Sequence, residues 1–87
     1  MAELIHQQRH ALAGSGGREY DVLVYAQNVD GQWEAQMEFR PRGAGLVLRT
    51  EPEIRHPSKD ALAAWAAGLA PTYLEAAFER AFDQASK

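Results

Sequence analysis

Cysteine is absent from the chain, which removes disulfides, thiolate zinc sites and cysteine nucleophiles together. Long apolar runs are missing as well, and none approaches the ~20 residues of a membrane-crossing helix. The opening residues, Met1-Ala2-Glu3-Leu4-Ile5-His6, have neither the basic start nor the long apolar core of a signal peptide, so a soluble, cytoplasmic protein is expected. Positive charge is scarce: nine Lys and Arg stand against twelve Asp and Glu, for a formal net charge of -3. Residues 1–18, 19–57 and 58–87 carry +1, -3 and -1 of it, and no part is basic enough to point to nucleic acid by charge alone.

The 87 residues have room for one core, so residues 1–87 are read as a single domain in three parts: an N-terminal helix with a Gly-rich linker (1–18), a β-meander (19–57) and a helical third (58–87). A chain this small buries a modest fraction of its surface, which raises the expectation of a homo-oligomer or a protein partner.

Leu4, Ile5, Ala11 and Leu12 fit one face of a helix over residues 2–13, which Gly14-Ser15-Gly16-Gly17 then ends. From Glu19 to Gln27 the chain alternates, with Tyr20, Val22, Val24 and Ala26 on one side and Asp21, Leu23, Tyr25 and Gln27 on the other. After Asn28-Val29-Asp30-Gly31, the run Gln32 to Arg40 alternates again, setting Trp33, Ala35, Met37 and Phe39 on one face. A four-residue loop pairs Gln27 with Gln32 and places Ala26 opposite Trp33, which gathers both apolar sets on one face. A third strand is expected from Leu46 to Glu51, with Arg49 meeting Glu38 across the sheet. Pro52 and Pro57 make the stretch between them an irregular crossing.

Ser58 reads as a helix N-cap with Asp60 in the first turn, and Leu62, Trp65, Ala66 and Leu69 as the buried stripe. Gly68 and Pro71 break that helix. Thr72 and Glu75 have the spacing of a capping box for a final helix carrying Leu74, Ala77, Phe78, Ala81, Phe82 and Ala85 at three- and four-residue intervals. The expected fold is therefore α+β, ordered α-β-β-β-α-α, a three-stranded antiparallel meander with helices on one face. Trp33, Met37, Phe39, Val22, Val24, Trp65, Phe78 and Phe82 form its core.

The chemistry is sparse. His6 and His10 would share a helix face at a spacing that can ligate a metal, but no acidic residue lies between them as in a metalloprotease helix, and no metal or cofactor is assigned. The hydroxyls of Ser15, Thr50, Ser58, Thr72 and Ser86 fall in linker, strand, cap, cap and tail positions, and none in a nucleophile elbow. No catalytic residues are assigned. Arg40, Arg42, Arg49, Arg55 and Lys59 lie within twenty positions of one another and are the candidate nucleic-acid or anion contacts, although Glu38, Glu51, Glu53 and Asp60 are interleaved with them. Leu23 and Tyr25 sit side by side opposite the core face, on what would be an outer strand, and are the candidate partner contacts.

The order helix, three strands, helix resembles the double-stranded-RNA-binding domain, and the run Tyr20 to Gln27, Asp30-Gly31, Trp33 to Phe39 and Ser58-Lys59-Asp60-Ala61-Leu62 is similar in outline to HicB-type antitoxins. The first resemblance implies a lysine cluster at the start of the second helix, of which only Lys59 is present. The second implies a Pro-Asp-Leu-Pro-Gly stretch after the second strand, where this chain has Arg40-Pro41-Arg42-Gly43. The expectation is a small non-catalytic protein-interaction or regulatory domain of bacterial type that self-associates. The alternatives are a weak nucleic-acid binder using Arg40 to Lys59, and a small enzyme or ligand carrier with an intersubunit site.

Overall fold

The computed structural model describes residues 1–86, and Lys87 at the end of the helical third lies outside them. The chain runs β1 (Glu3–Gln7), β2 (Leu12–Ala13), a 3-10 turn (Ser15–Gly17), β3 (Glu19–Val29), β4 (Gln32–Pro41), β5 (Leu48–Arg49), β6 (Ile54–His56), α1 (Lys59–Ala67) and α2 (Pro71–Ala85). It is an α+β fold with one antiparallel sheet and two helices. Four lanes make up the sheet: β1 and β2 along one side of β3, then β4, then β5 and β6 along the far side of β4.

Asp30 and Gly31 alone form the central turn. Both have positive φ, 53° and 86°, the backbone of the two-residue hairpin turn whose twist matches that of its strands, and Asp-Gly is among the pairs that adopt it most readily. Asn28 Oδ1 accepts from the Gly31 amide at 3.1 Å. Val29 therefore pairs with Gln32, Ala26 with Ala35 and Val22 with Phe39, a register two residues away from that of a four-residue loop. A two-residue shift preserves side-chain parity, so the apolar sets still share the helix-covered face.

The N-terminal segment is not a helix. β1 and β2 both pair with β3, because an eleven-residue strand without a neighbour would leave a row of backbone donors and acceptors unsatisfied, and that pairing overrides a broken helical stripe. A bulge between Leu4 and His6 lets Ile5 pack on the core. Gly14-Ser15-Gly16-Gly17 is consequently a strand reversal, closed by the Gly14 amide on the Arg18 carbonyl at 2.7 Å, and not a linker. A Cβ on Gly14 would lie 2.6 Å from Tyr20 Cε1 and 3.0 Å from Phe78 Cζ, so the chain can approach these rings only as glycine.

The third strand is shorter than expected and the crossing after it more regular. Leu48 pairs with Phe39 and Arg49 with Glu38, while Ile54, Arg55 and His56 pair with Ala35, Glu34 and Trp33. Between them Thr50 keeps the lane attached: its amide donates to the Met37 carbonyl, and its hydroxyl accepts from the Met37 amide at 3.1 Å, replacing a ladder carbonyl before Pro52, which has no amide.

Ser58 caps α1, accepting from the Ala61 amide. α2 begins one residue before the expected capping box: Pro71 is at its first turn, Ala70 is the N-cap, and no side chain caps it. Proline is pre-set for that position because its missing N–H would be an orphan there anyway, which leaves Thr72 inside the helix. α1 packs over β1, β3, β4 and β6, and α2 over β5. Between sheet and helices lie Val22, Val24, Met37, Phe39 and Leu62, all under 2 % exposed. The Phe78 ring stands 4.8 Å from Tyr20 and 5.4 Å from Phe39. Trp33 and Trp65 pack against this core half-buried, but Phe82 is 41 % exposed and does not belong to it.

Phe39→Ala is expected to lower stability by about 3–5 kcal/mol, the range for emptying a buried aromatic position, whereas Phe82→Ala should cost less than about 1 kcal/mol. Urea unfolding midpoints read both, and equal losses would mean that the core is wrongly placed.

Candidate functional site

The face of the sheet away from the helices carries the cationic residues. Position by position along β4, alternate side chains on this face are Glu34, Gln36, Glu38 and Arg40, and their cross-strand neighbours include Arg55, Arg49 and Asp21. Opposite charges facing each other in adjacent lanes pair. Arg49 Nε meets Glu38 Oε1 at 3.0 Å and Arg42 Nε meets Asp21 Oδ1 at 2.9 Å, while Arg40 pairs with Glu38 and Arg55 with Glu34. Arg40 also donates to the Tyr25 hydroxyl at 3.1 Å, and its own pKa is raised, chiefly by its hydrogen bond to Glu38. Glu38, held between two guanidiniums, is buried although it faces the uncovered side.

Lys59 lies apart from these arginines. Its ammonium sits 2.9 Å from Glu3 Oε1 and 5.3 Å from the centre of the Trp33 ring, tying the start of α1 to β1, and the Glu3 hydrogen bond raises its pKa. All five candidate cations thus have a carboxylate partner within the chain. Leu23 and Tyr25 do share the uncovered face, but β3 is an inner strand, flanked by β1 and β4. Leu23 is only 6 % exposed, between Gln7 and Glu38.

A second polar group joins the interrupted lane to α2. The Glu53 side chain is 3 % exposed, accepts from the Tyr73 hydroxyl at 2.6 Å and receives both terminal nitrogens of Arg80 at 2.8 Å. Burial is the largest influence on this carboxyl and pushes its pKa up, but the hydrogen bonds from Arg80 and Tyr73 and the Arg80 charge together outweigh it and hold the pKa below the ordinary value. Tyr73 is raised, first by burial and then by Glu53. A buried carboxylate that accepts three hydrogen bonds from a guanidinium fork and a phenol is a clamp between this lane and α2.

His6 and His10 do not share a helix face: His6 stands opposite Val24 in β1, and His10 is exposed in the bend after it. Among the described residues no three His, Asp or Glu side chains are grouped so as to hold a metal. Among the described residues no helix is long and apolar enough to cross a membrane.

The remaining feature is apolar and lies at the end of the sheet near Phe82. Leu46 is 78 % exposed and Val47 42 %. Beside them Tyr20, Leu48, Phe82 and Ala85 line a hollow of about 320 Å³, with Arg18 at its side. On the other flank of Phe82, between β2 and α2, a groove of about 270 Å³ is lined by Leu12, Ala13, Gly14 and Phe78 and walled by Glu75, Glu79 and Asp83. The sequence did not single out this end: Phe82 falls on the same stripe as Phe78, and Leu46 reads as strand.

Because the Glu53 pKa is depressed in the folded state, its stabilisation is fully present above the ordinary carboxylate value and lost as pH falls through the folded value. Thermal midpoints should therefore drop in acid. Glu53→Gln should cost about 1–3 kcal/mol at neutral pH and should reduce the acid sensitivity; an unchanged pH profile in that variant would show that the clamp does not contribute.

No family model matches this chain, and no curated protein or solved structure matches it.

Proposed function

We propose that the chain is a non-catalytic protein-interaction domain that associates with a second copy of itself through the corner around Leu46 and Val47. The observation that carries this reading is the arrangement of that corner. Leu46 and Val47 are exposed apolar side chains, and Leu46 is itself part of the lining of an apolar hollow, with Leu48, Phe82 and Ala85. An exposed apolar patch with a recess in it suits a two-fold contact, since each copy can cover the other's. Charge does not oppose it: among the described residues Arg18 is the one charged residue lining the hollow, and its guanidinium donates to the Ala44 carbonyl at 2.9 Å. A domain of this size also gains proportionately from covering apolar surface.

The outline shared with HicB-type antitoxins, in the two strands, the Asp-Gly turn and the Ser58-led helix, fits a protein partner as well. The nucleic-acid reading is less well supported. Phosphates would have to compete with an intramolecular carboxylate at Arg40, Arg42, Arg49, Arg55 and Lys59, on a chain whose net charge is negative.

Sedimentation over micromolar concentrations is expected to show a reversible dimer, and Leu46→Asp with Val47→Asp to give a folded monomer. A monomer at every concentration, or a dimer indifferent to both changes, would contradict the proposal. Duplex RNA should not bind below micromolar concentration. Binding that falls steeply with salt and disappears with Arg42→Ala and Lys59→Ala would favour the nucleic-acid reading instead.

A further inference from the structure

We infer that the groove between β2 and α2 receives an extended, lysine- or arginine-bearing segment of a partner protein as an added strand beside β2. The inference rests on the reading of the chain as a protein-interaction domain. It concerns the other flank of Phe82 from the corner where two copies meet.

The first wall of the groove is a strand edge. Among the described residues β2 pairs with β3 and with no other strand, so its outer side offers backbone groups to an incoming chain. The apolar part of the lining is Leu12 and Ala13 from the strand and Phe78 and Phe82 from α2. Past Leu12 and Glu75 the groove continues into a second hollow of about 240 Å³, floored by Val22, Leu69 and Leu74. The two hollows share Leu12 and Glu75 and are consecutive stretches of one channel along α2. From Pro71 to Asp83 the helix advances about 18 Å, the length of a five- or six-residue strand.

The second wall sets the charge of the occupant. Glu75, Glu79 and Asp83 recur every fourth residue and so lie along one side of α2, all exposed. Among the described residues none of them has a cationic partner, and the neighbouring Arg80 is engaged with Glu53. Like charges four residues apart on a helix repel one another, and a cation laid across the row relieves that repulsion. Phe78 and Phe82 stand on α2 with the carboxylates, so the alternate side chains that a strand turns toward α2 meet rings and acids together, and a Lys or Arg there lays its stem on the rings and its charge against the row. A second copy meeting this wall with its own α2 would bring the same carboxylates, and a nucleic acid would bring phosphates, so neither suits the groove.

The test titrates the isotope-labelled full chain with a synthetic peptide of about ten residues that alternates Lys and Val. Two controls accompany it: an alternating Glu-Val peptide, and the Lys-Val peptide with every second backbone amide methylated. The expected result is saturable binding of the Lys-Val peptide, weakening as salt is raised. Amide shifts should be confined to residues 11–14 and α2. Affinity should fall roughly tenfold in Glu75→Gln/Glu79→Gln, and fall likewise on methylation, which removes the strand hydrogen bonds. Equal binding of the Glu-Val peptide, indifference to the double substitution, or no binding by the Lys-Val peptide overturns the inference. Sedimentation of the same samples separates the two proposals. A dimer that persists without peptide binding leaves the self-association reading standing and removes this one; loss of both removes the interaction reading itself.

Discussion

The closing of β3 onto β4 across Asp30 and Gly31 decides which side chains of the two long strands face the helices. With positive φ at both turn residues, Val29 must meet Gln32, and from the Ala26–Ala35 pair outward Val24, Val22 and Tyr20 of β3 and Met37 and Phe39 of β4 all face α1 and α2. The aromatic group of Tyr20, Phe39 and Phe78 and the charge pairs on the opposite face both follow from the same register. A shift by one residue would exchange the two faces, sending Met37 and Phe39 to solvent and Glu38 into the core.

The two outer lanes are both interrupted, and the interruptions are handled differently. Beside β4, side chains take over where ladder pairing stops: the Thr50 hydroxyl serves the Met37 amide, and Glu53 holds the lane to α2 through Tyr73 and Arg80. Beside β3, the strand resumes at β2 after the bend, and the reversal at Gly14 rests directly on Tyr20 and Phe78. Among the described residues no ion pair crosses from this lane to α2. α2 is therefore held by hydrogen bonds and charge on one flank and by apolar contact at Gly14 on the other, and the groove lined by Leu12 and Glu75 runs along the second flank. Both proposed contact surfaces lie along this helix, on either side of Phe82.

How far the sequence discloses the structure depends on whether a feature is local. The two long strands, the shared apolar face and the pair between Arg49 and Glu38 are legible from alternation, and the Ser58 cap from its position before an apolar stripe. The N-terminal lane is not, because residues 2–13 become strands through the need of β3 for a neighbour, and a short apolar run does not reveal its period. The capping box at Thr72 lost to Pro71, which starts α2 earlier. Phe78 and Phe82 are one helical turn apart and indistinguishable by spacing, yet one packs between Tyr20 and Phe39 and the other lies at the rim. Glu53 and Arg80 are 27 residues apart, so nothing in either neighbourhood announces their contact. The cations were legible as a cluster, but their pairing with Glu3, Asp21, Glu34 and Glu38 depends on register and could be foreseen only for Arg49.

Amide hydrogen exchange resolved by residue tests the account most directly, since it reads the strength of each lane in turn. The slowest exchange is expected at Val22, Val24, Met37 and Phe39, with Met37 as protected through the Thr50 hydroxyl as its neighbours are through carbonyls. Fast exchange is expected at outward-facing amides of the β2 lane. Uniform protection across β2 and β3 would contradict it, because the edge beside α2 would then already be closed.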